Sequence, residues 1–79
     1  MYNIEISKTQ VIMAFVATCV ETTARYLNVS YRKVYDRMKL VSLIEKYILP
    51  NYEPLHTQSR EHLAEDIVEC LNNWEEKLK

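Results

Sequence analysis

The 79-residue sequence contains no glycine, and its only two prolines are Pro50 and Pro54. Without glycine, the left-handed residues of tight hairpin turns and helix C-caps must be other residue types, at a steric cost. The lack of glycine also excludes a glycine-rich phosphate-binding loop. We therefore expect an all-α protein rather than a sheet built from hairpins.

Cysteines and long apolar stretches are also scarce. Cys19 and Cys70 both fall within predicted helices, which is more typical of reduced thiols than of a disulfide-rich secreted miniprotein. The longest apolar run, over residues 11–20, is about half of the roughly 20 residues that a bilayer span needs. Residues 1–8 also lack the pattern of a signal peptide. We therefore expect a cytoplasmic protein that does not enter the membrane.

The composition is that of a small folded protein. Hydrophobic residues make up 48% of the chain and charged residues 27%, which is ordinary for a globular protein. A chain of this length has too little buried surface to form two cores. We therefore expect residues 1–79 to form a single helical domain.

Helical spacing and capping residues predict a compact bundle of about four helices. The first begins near Ser7, in a capping box with Gln10, and ends at Asn28. It is predicted to be the central helix, with its apolar first half enclosed by the other three. Ser30 is placed to cap the second helix. The buried stripe of the first helix is predicted to be Ile12, Phe15, Val16, Cys19 and Tyr26.

The second helix is predicted over residues 31–39 and is almost continuous with a third that ends near Leu49, before Pro50. Residues 50–58 are expected to form a loop. A long amphipathic fourth helix then begins after Thr57 or Ser59. The predicted apolar positions of the second helix are Val34, Tyr35 and Met38, those of the third are Leu40, Val41, Leu43, Ile44, Tyr47 and Ile48, and those of the fourth are Leu63, Ile67, Leu71, Trp74 and Leu78.

Charge is distributed unevenly along the chain. Residues 25–46 carry six basic and two acidic groups, whereas residues 47–79 carry three basic and seven acidic groups. In the basic part, Arg32, Lys33 and Arg37 lie close to aromatic residues around a hinge resembling a helix-turn-helix, a pattern that suits phosphate contacts. A small nucleic-acid-binding regulator that uses these three cations is therefore our alternative hypothesis.

Neither a metal site nor a catalytic site follows from the sequence. Two cysteines and two histidines equal the ligand count of a zinc site, but their spacings are not those of zinc modules. No pattern combines a nucleophile, a base and an orienting group. We therefore expect no catalytic residues, no metal and no cofactor, and we expect that the protein is not an enzyme.

Two surfaces are candidates for protein contacts. The acidic face of the fourth helix, which includes Glu61 and Glu65, suits a basic partner. The end of the same helix, with Trp74 and Leu78, indicates self-association as a second hypothesis, because it leaves an apolar patch that 79 residues cannot cover.

The segment before the fourth helix resembles a small bacterial family of unknown function with the signature Tyr-x-x-Leu-His-Thr-x-Gly/Ser. The matching residues here are Tyr52, Leu55, His56, Thr57 and Ser59. The resemblance covers roughly residues 10–70 and includes the turn over residues 28–30. The sequence departs from the family at Lys39 and Ser59, where the family commonly has glycine.

This resemblance implies a short, cytoplasmic, all-helical protein. Members are often encoded beside an ADP-ribosyltransferase-like protein, in the manner of a toxin and its antitoxin. We therefore hypothesise a non-catalytic protein-binding module, the neutralising or regulatory partner of a toxin-like protein. Its predicted partner-binding residues are Tyr52, Leu55, His56, Thr57, Glu61 and Glu65.

Overall fold

The computed structural model describes residues 7–78, which are all-helical, as the sequence predicts, with no strand in that range. There are five helical segments rather than about four. They are α1 (Lys8–Leu27), α2 (Tyr31–Leu40), a π-helix (Ile44–Ile48), α3 (Tyr52–His56) and α4 (Arg60–Glu76).

The predicted boundaries of α1 and the start of α2 are confirmed. The Gln10 backbone N–H donates to the Ser7 hydroxyl at 3.2 Å, and the Ser7 N–H donates back to the Gln10 side chain at 3.1 Å. Asn28 ends α1 in the left-handed region, at φ 57°. The Ser30 hydroxyl then accepts the Lys33 N–H at 3.1 Å and caps α2. Local side-chain chemistry therefore sets these ends.

The predicted near-continuity of the second and third helices is wrong. Ser42 adopts a left-handed conformation, at φ 56°, and this interrupts the helical path after α2. The next segment is a π-helix, in which the Leu49 N–H donates to the Ile44 carbonyl at 2.9 Å, five residues back. The predicted end near Leu49 is correct.

The predicted loop over residues 50–58 is also wrong, because it contains α3. Pro54 is the third residue of this short helix, where a backbone N–H has no intrahelical partner, so its missing donor costs nothing. Of the two predicted caps for α4, Ser59 is the one that acts, accepting the His62 N–H at 3.3 Å. The Thr57 hydroxyl donates instead to the Pro54 carbonyl at 3.0 Å.

The core forms where α1 packs against α4 and α2, so α1 is central, as predicted. Thr23 is buried among apolar neighbours, and its hydroxyl donates to the Cys19 carbonyl at 2.7 Å. The buried apolar cluster consists of Val16, Cys19, Val20, Ala24, Val34, Met38, Leu43, Ile48, Leu55, Leu63, Ile67 and Leu71.

The buried residues of α1 begin at Val16, near its middle, and continue into its second half, whereas the first half was predicted to be enclosed. Val11 and Met13 are 41% and 56% exposed, whereas buried residues occur between Val16 and Ala24. Ile12 and Phe15, on the same turns, pack against the core. Val11 and Met13 are therefore exposed because they lie away from the core-facing side of α1.

Four residues predicted on apolar faces are exposed instead. They lie at the edges of the buried stripes or at helix ends, where the neighbouring helices do not reach. These residues are Tyr26, Tyr35, Leu40 and Leu78. Leu78 lies beyond the last residue of α4, so the predicted stripe of that helix is correct only as far as the half-buried Trp74.

Candidate functional site

The predicted site begins with two stacked rings on α3. The Tyr52 and His56 rings lie 4.7 Å apart, centre to centre, with only 13° between their planes. The Phe15 ring, on α1, lies 5.2 Å from the Tyr52 ring, centre to centre, and the two planes are nearly perpendicular, at 87°. Leu55, on the same turn, is buried in the core. The Tyr52 ring therefore contacts two other rings, and the buried Leu55 anchors the turn that carries it.

His56 is exposed, and the hydrogen bonds around it close α3 at both ends. The Asn51 side chain donates to the Tyr47 carbonyl at 2.8 Å, and the Thr57 hydroxyl donates to the Pro54 carbonyl. His56 Nε2 lies 3.7 Å from a Glu53 carboxylate oxygen, an ion pair only when the imidazole is protonated. These contacts make α3 a small, well-defined surface element.

Glu61 and Glu65 form a second group, on the exposed side of α4. Glu61 lines a shallow groove of about 280 Å³ between the end of α1 and the start of α4. Glu65 lies one turn further along the same helix. The six predicted residues therefore fall on two consecutive elements, four on α3 or at its end and two on α4.

The sequence did not predict this groove. Besides Glu61, it is lined by Thr22, Arg25, Tyr26, Arg60 and Ala64. Arg25 is also 3.7 Å from Glu21, one turn earlier on α1. Helical spacing assigned Tyr26 to the buried face, whereas it is 53% exposed. Tyr26 lies in the last turn of α1, just before Asn28, and this position is the feature of the sequence that could have indicated its exposure.

The three cations of the nucleic-acid hypothesis have different surroundings. Arg37 makes a two-point contact with Glu75, in which Nε donates at 2.8 Å and Nη2 at 2.6 Å. Arg37 Nη2 also donates to Asn72 at 3.3 Å. The hydrogen bond to Glu75 raises the pKa of Arg37 above its ordinary value. Arg37 therefore joins α2 to α4.

Arg32 and Lys33 are exposed at the start of α2. Arg32 Nε lies 3.3 Å from Asp36, one turn along, in a pair whose side chains are 84% and 57% exposed. The Lys33 backbone N–H is bound to the helix cap at Ser30. Of the three predicted cations, Arg32 and Lys33 therefore lie on the surface, whereas Arg37 holds two helices together.

The two cysteines are free thiols in different environments. Burial raises the pKa of Cys19 to about 12. Burial also raises the pKa of Cys70, and the neighbouring Glu69 adds to that shift. The pKa of Tyr47, beside both thiols, is raised mainly by burial as well. These groups are neutral near pH 7, whereas a cysteine nucleophile requires a thiolate.

Within residues 7–78, no three histidine, cysteine, aspartate or glutamate side chains come together as a metal site would require. The same range contains no helix with the length and apolar character that crossing a bilayer demands.

A family model described as "Protein of unknown function (DUF3791)" matches residues 14–74. The chain belongs to this family. The DUF3791 match extends from the middle of α1 to the last turns of α4 and includes all of α3. No curated protein and no solved structure matches the chain at a significant level. The matched residues include the helical core and the stacked rings, and the family description assigns no activity.

Proposed function

We propose that this chain is a non-catalytic protein-binding module whose contact surface is α3 together with the first two turns of α4. The observation that carries this proposal is the Tyr52–His56 stack, which the Phe15 ring contacts and which the buried Leu55, on the same turn, anchors to the core. It presents aromatic surface on an element with a defined conformation.

A surface of this kind suits protein recognition for an energetic reason. Aromatic side chains provide large contact area with few rotatable bonds, and rings that are already held lose little entropy when a partner binds. The hydrogen bonds of Asn51 and Thr57 hold the backbone beneath the rings in the same way. A partner therefore meets a preorganised site.

The adjacent carboxylates define the chemistry of the partner. Glu61 and Glu65 are exposed at successive turns of α4, next to the end of α3. Exposed charges of one sign accelerate association with a partner of opposite charge and exclude wrong partners. We therefore propose a partner with a basic surface beside an apolar contact.

We further propose that this chain is cytoplasmic and is the neutralising or regulatory partner of a toxin-like protein. This proposal rests on the signature residues Tyr52, Leu55, His56 and Thr57, which resemble those of a family often encoded beside an ADP-ribosyltransferase-like protein. The role needs no cofactor, because the binding surface consists of side chains alone.

The test is co-expression of the full chain with the product of the neighbouring gene, followed by affinity purification. We expect recovery of a complex with the unmodified chain. A variant with His56→Ala, Glu61→Lys and Glu65→Lys should lose that complex while keeping the helical circular dichroism spectrum. Glu45→Lys reverses an exposed charge on the π-helix and should leave the complex intact.

Two results would contradict the proposal. One is the absence of any complex with the unmodified chain. The other is a complex that the triple variant retains in full. Retardation of nucleic acid at low salt, abolished by Arg32→Ala with Lys33→Ala, would support the alternative hypothesis instead, since phosphate contacts weaken steeply with salt.

A further inference from the structure

A groove of about 390 Å³ lies between the π-helix and the middle and last turns of α4. Two aromatic rings line it, Tyr47 from the π-helix and Trp74 from α4, with centres 6.2 Å apart and planes inclined at 74°. Both side chains are half-buried and pack against the core, so the rings are held in place. We call this surface the Tyr47–Trp74 groove, and its other lining residues are Asp66, Glu69, Cys70 and Asn73.

The groove continues the acidic side of α4. Glu69 follows Glu65 by four residues, as Glu65 follows Glu61, so these three carboxylates lie on successive turns of one helix face. The Tyr47–Trp74 groove is therefore next to the surface proposed above for a basic partner.

Two carboxylates of the groove have no cation beside them. Asp66 is half-buried and Glu69 is exposed, and neither forms an ion pair with any side chain of residues 7–78. Lys46 and Lys77 line a neighbouring groove that shares Trp74, and they leave these carboxylates unpaired. The Tyr47–Trp74 groove therefore combines aromatic surface with unneutralised negative charge.

The carboxylates are close enough to the aromatic surface to act together with it. The pKa of Tyr47 is raised first by burial, then by Cys70 and by the charges of Asp66 and Glu69. A cation above the Tyr47 ring therefore lies within the field of both carboxylates.

This combination of groups suits a guanidinium better than other cations. A guanidinium is planar, so it stacks on an aromatic ring while its N–H groups donate in fixed directions to carboxylates. A lysine ammonium is more strongly hydrated, and a quaternary ammonium has no N–H to donate. Arginine is also among the side chains that most often anchor protein interfaces.

We propose that the Tyr47–Trp74 groove binds an arginine side chain of the partner protein, with the guanidinium against the aromatic rings and its N–H groups directed to Asp66 and Glu69. This inference rests on the proposed function, because the arginine belongs to the basic partner expected at α3 and the start of α4. It extends that contact surface along α4 and specifies one anchoring side chain.

The first experiment tests the groove without the partner. The probe is N-acetylarginine amide, and the signal is the indole N–H of Trp74, the only tryptophan, followed by proton NMR of the full chain at constant ionic strength. We expect a saturable shift with a Kd in roughly the millimolar range, as is usual for a ligand of this size. The uncharged citrulline derivative has the same shape and should bind at least about tenfold more weakly, and the lysine derivative should also bind more weakly.

Variants of the full chain test which groups hold the probe. Asp66→Asn with Glu69→Gln should raise the Kd by roughly tenfold, because both charged acceptors are lost. Tyr47→Leu should raise it several-fold, because one aromatic face is lost. The matched control, Glu21→Gln with Glu45→Gln, removes two exposed carboxylates outside the groove and should leave the Kd within about twofold. Circular dichroism establishes that each variant is folded.

The second experiment measures the affinity of the complex with the product of the neighbouring gene. Asp66→Asn with Glu69→Gln should weaken that complex by roughly tenfold, whereas the control pair should not.

Three results would overturn the arginine assignment. They are a Trp74 signal that the arginine probe leaves unchanged, citrulline or lysine derivatives that bind as tightly as the arginine probe, and a complex whose affinity is unchanged in the folded variant at Asp66 and Glu69. A complex that forms but does not respond to this variant rejects this inference alone. The absence of any complex with the unmodified chain rejects the proposed function and, with it, the assignment of the arginine to that partner.

Discussion

The contact between Arg37 and Glu75 should stabilise the packing of α2 on α4 by an amount that a double-mutant cycle measures. The side chains are 31% and 30% exposed, and the shorter of their two hydrogen bonds is 2.6 Å. The cycle combines Arg37→Met, Glu75→Gln and the double variant. It isolates the coupling between the two side chains, so other contacts of Glu75 cancel.

The magnitude follows from burial and geometry. Fully exposed ion pairs contribute about 0.2–1 kcal/mol, and two-point arginine–carboxylate pairs are the stronger ones. Partial solvent screening keeps the Arg37–Glu75 pair well below the values of fully buried pairs. We therefore expect a coupling free energy of about 1 kcal/mol in favour of the folded state.

The assay is urea unfolding followed by circular dichroism and by the fluorescence of Trp74, the only tryptophan. The matched control is the cycle of Arg32→Met with Asp36→Gln, an exposed pair one turn apart on α2. Its coupling should be about 0.3 kcal/mol. A coupling at Arg37–Glu75 no larger than this control would refute the argument from geometry and burial.

The remaining predictions concern backbone conformation, the thiols and the core. Ser42→Gly should raise the free energy of unfolding by about 0.5–1 kcal/mol in urea, because glycine adopts a left-handed conformation without steric cost; an unchanged value would contradict this. A thiol reagent at pH 8 should modify the half-buried Cys70 well before Cys19, and equal rates would contradict the described burial. Because burial raises the pKa of Cys19 from 9.0 to about 12, its contribution to stability is complete below pH 9 and declines between pH 9 and 12; Cys19→Ala should flatten that part of a stability profile. Ile67→Ala should cost about 2–5 kcal/mol by thermal or urea unfolding, and a cost below 1 kcal/mol would show that this position is not in the core.

The helix ends that the sequence predicted are those set by contacts over three or four residues. Ser7 with Gln10, Asn28 and Ser30 each act through nearby backbone groups, so the necessary information lies within one turn. Ser42 is different, because serine has no marked preference for the left-handed region. The interruption of the helical path there depends on packing on both sides, which local sequence does not specify.

The short helix α3 was missed because proline was taken as a loop signal. Pro54 is compatible with a helix only in its first turn, and its place there depends on where the helix begins. Burial of Leu55 favours that start, since it turns this side chain toward the core. The signature residues could be identified from the sequence. The stacking of Tyr52 on His56 could not be predicted, because it requires the helical turn of α3.

Burial was overestimated where a periodic apolar pattern continues beyond its covering helices. Periodicity identifies the direction in which a side chain points, but the length of the neighbouring helix decides whether anything covers it. Tyr26 lies in the last turn of α1, Leu40 is the last residue of α2, and Leu78 lies past the end of α4. These are also the positions where apolar surface is left for other molecules.

The pairing of the charged residues of α2 also depends on which helix lies beside it, and not on the local sequence alone. Sequence proximity grouped Arg37 with Arg32 and Lys33, although its partner Glu75 is 38 positions away. A carboxylate so far away in the sequence can pair with Arg37 only if the ends of α2 and α4 lie side by side. That arrangement is a property of the fold. With Arg37 occupied, the two remaining cations lie at the start of α2, one of them beside Asp36. A phosphate ligand would therefore have to displace or share a carboxylate contact at Arg32 and at Arg37, whereas a protein partner at α3 meets rings that are already in place.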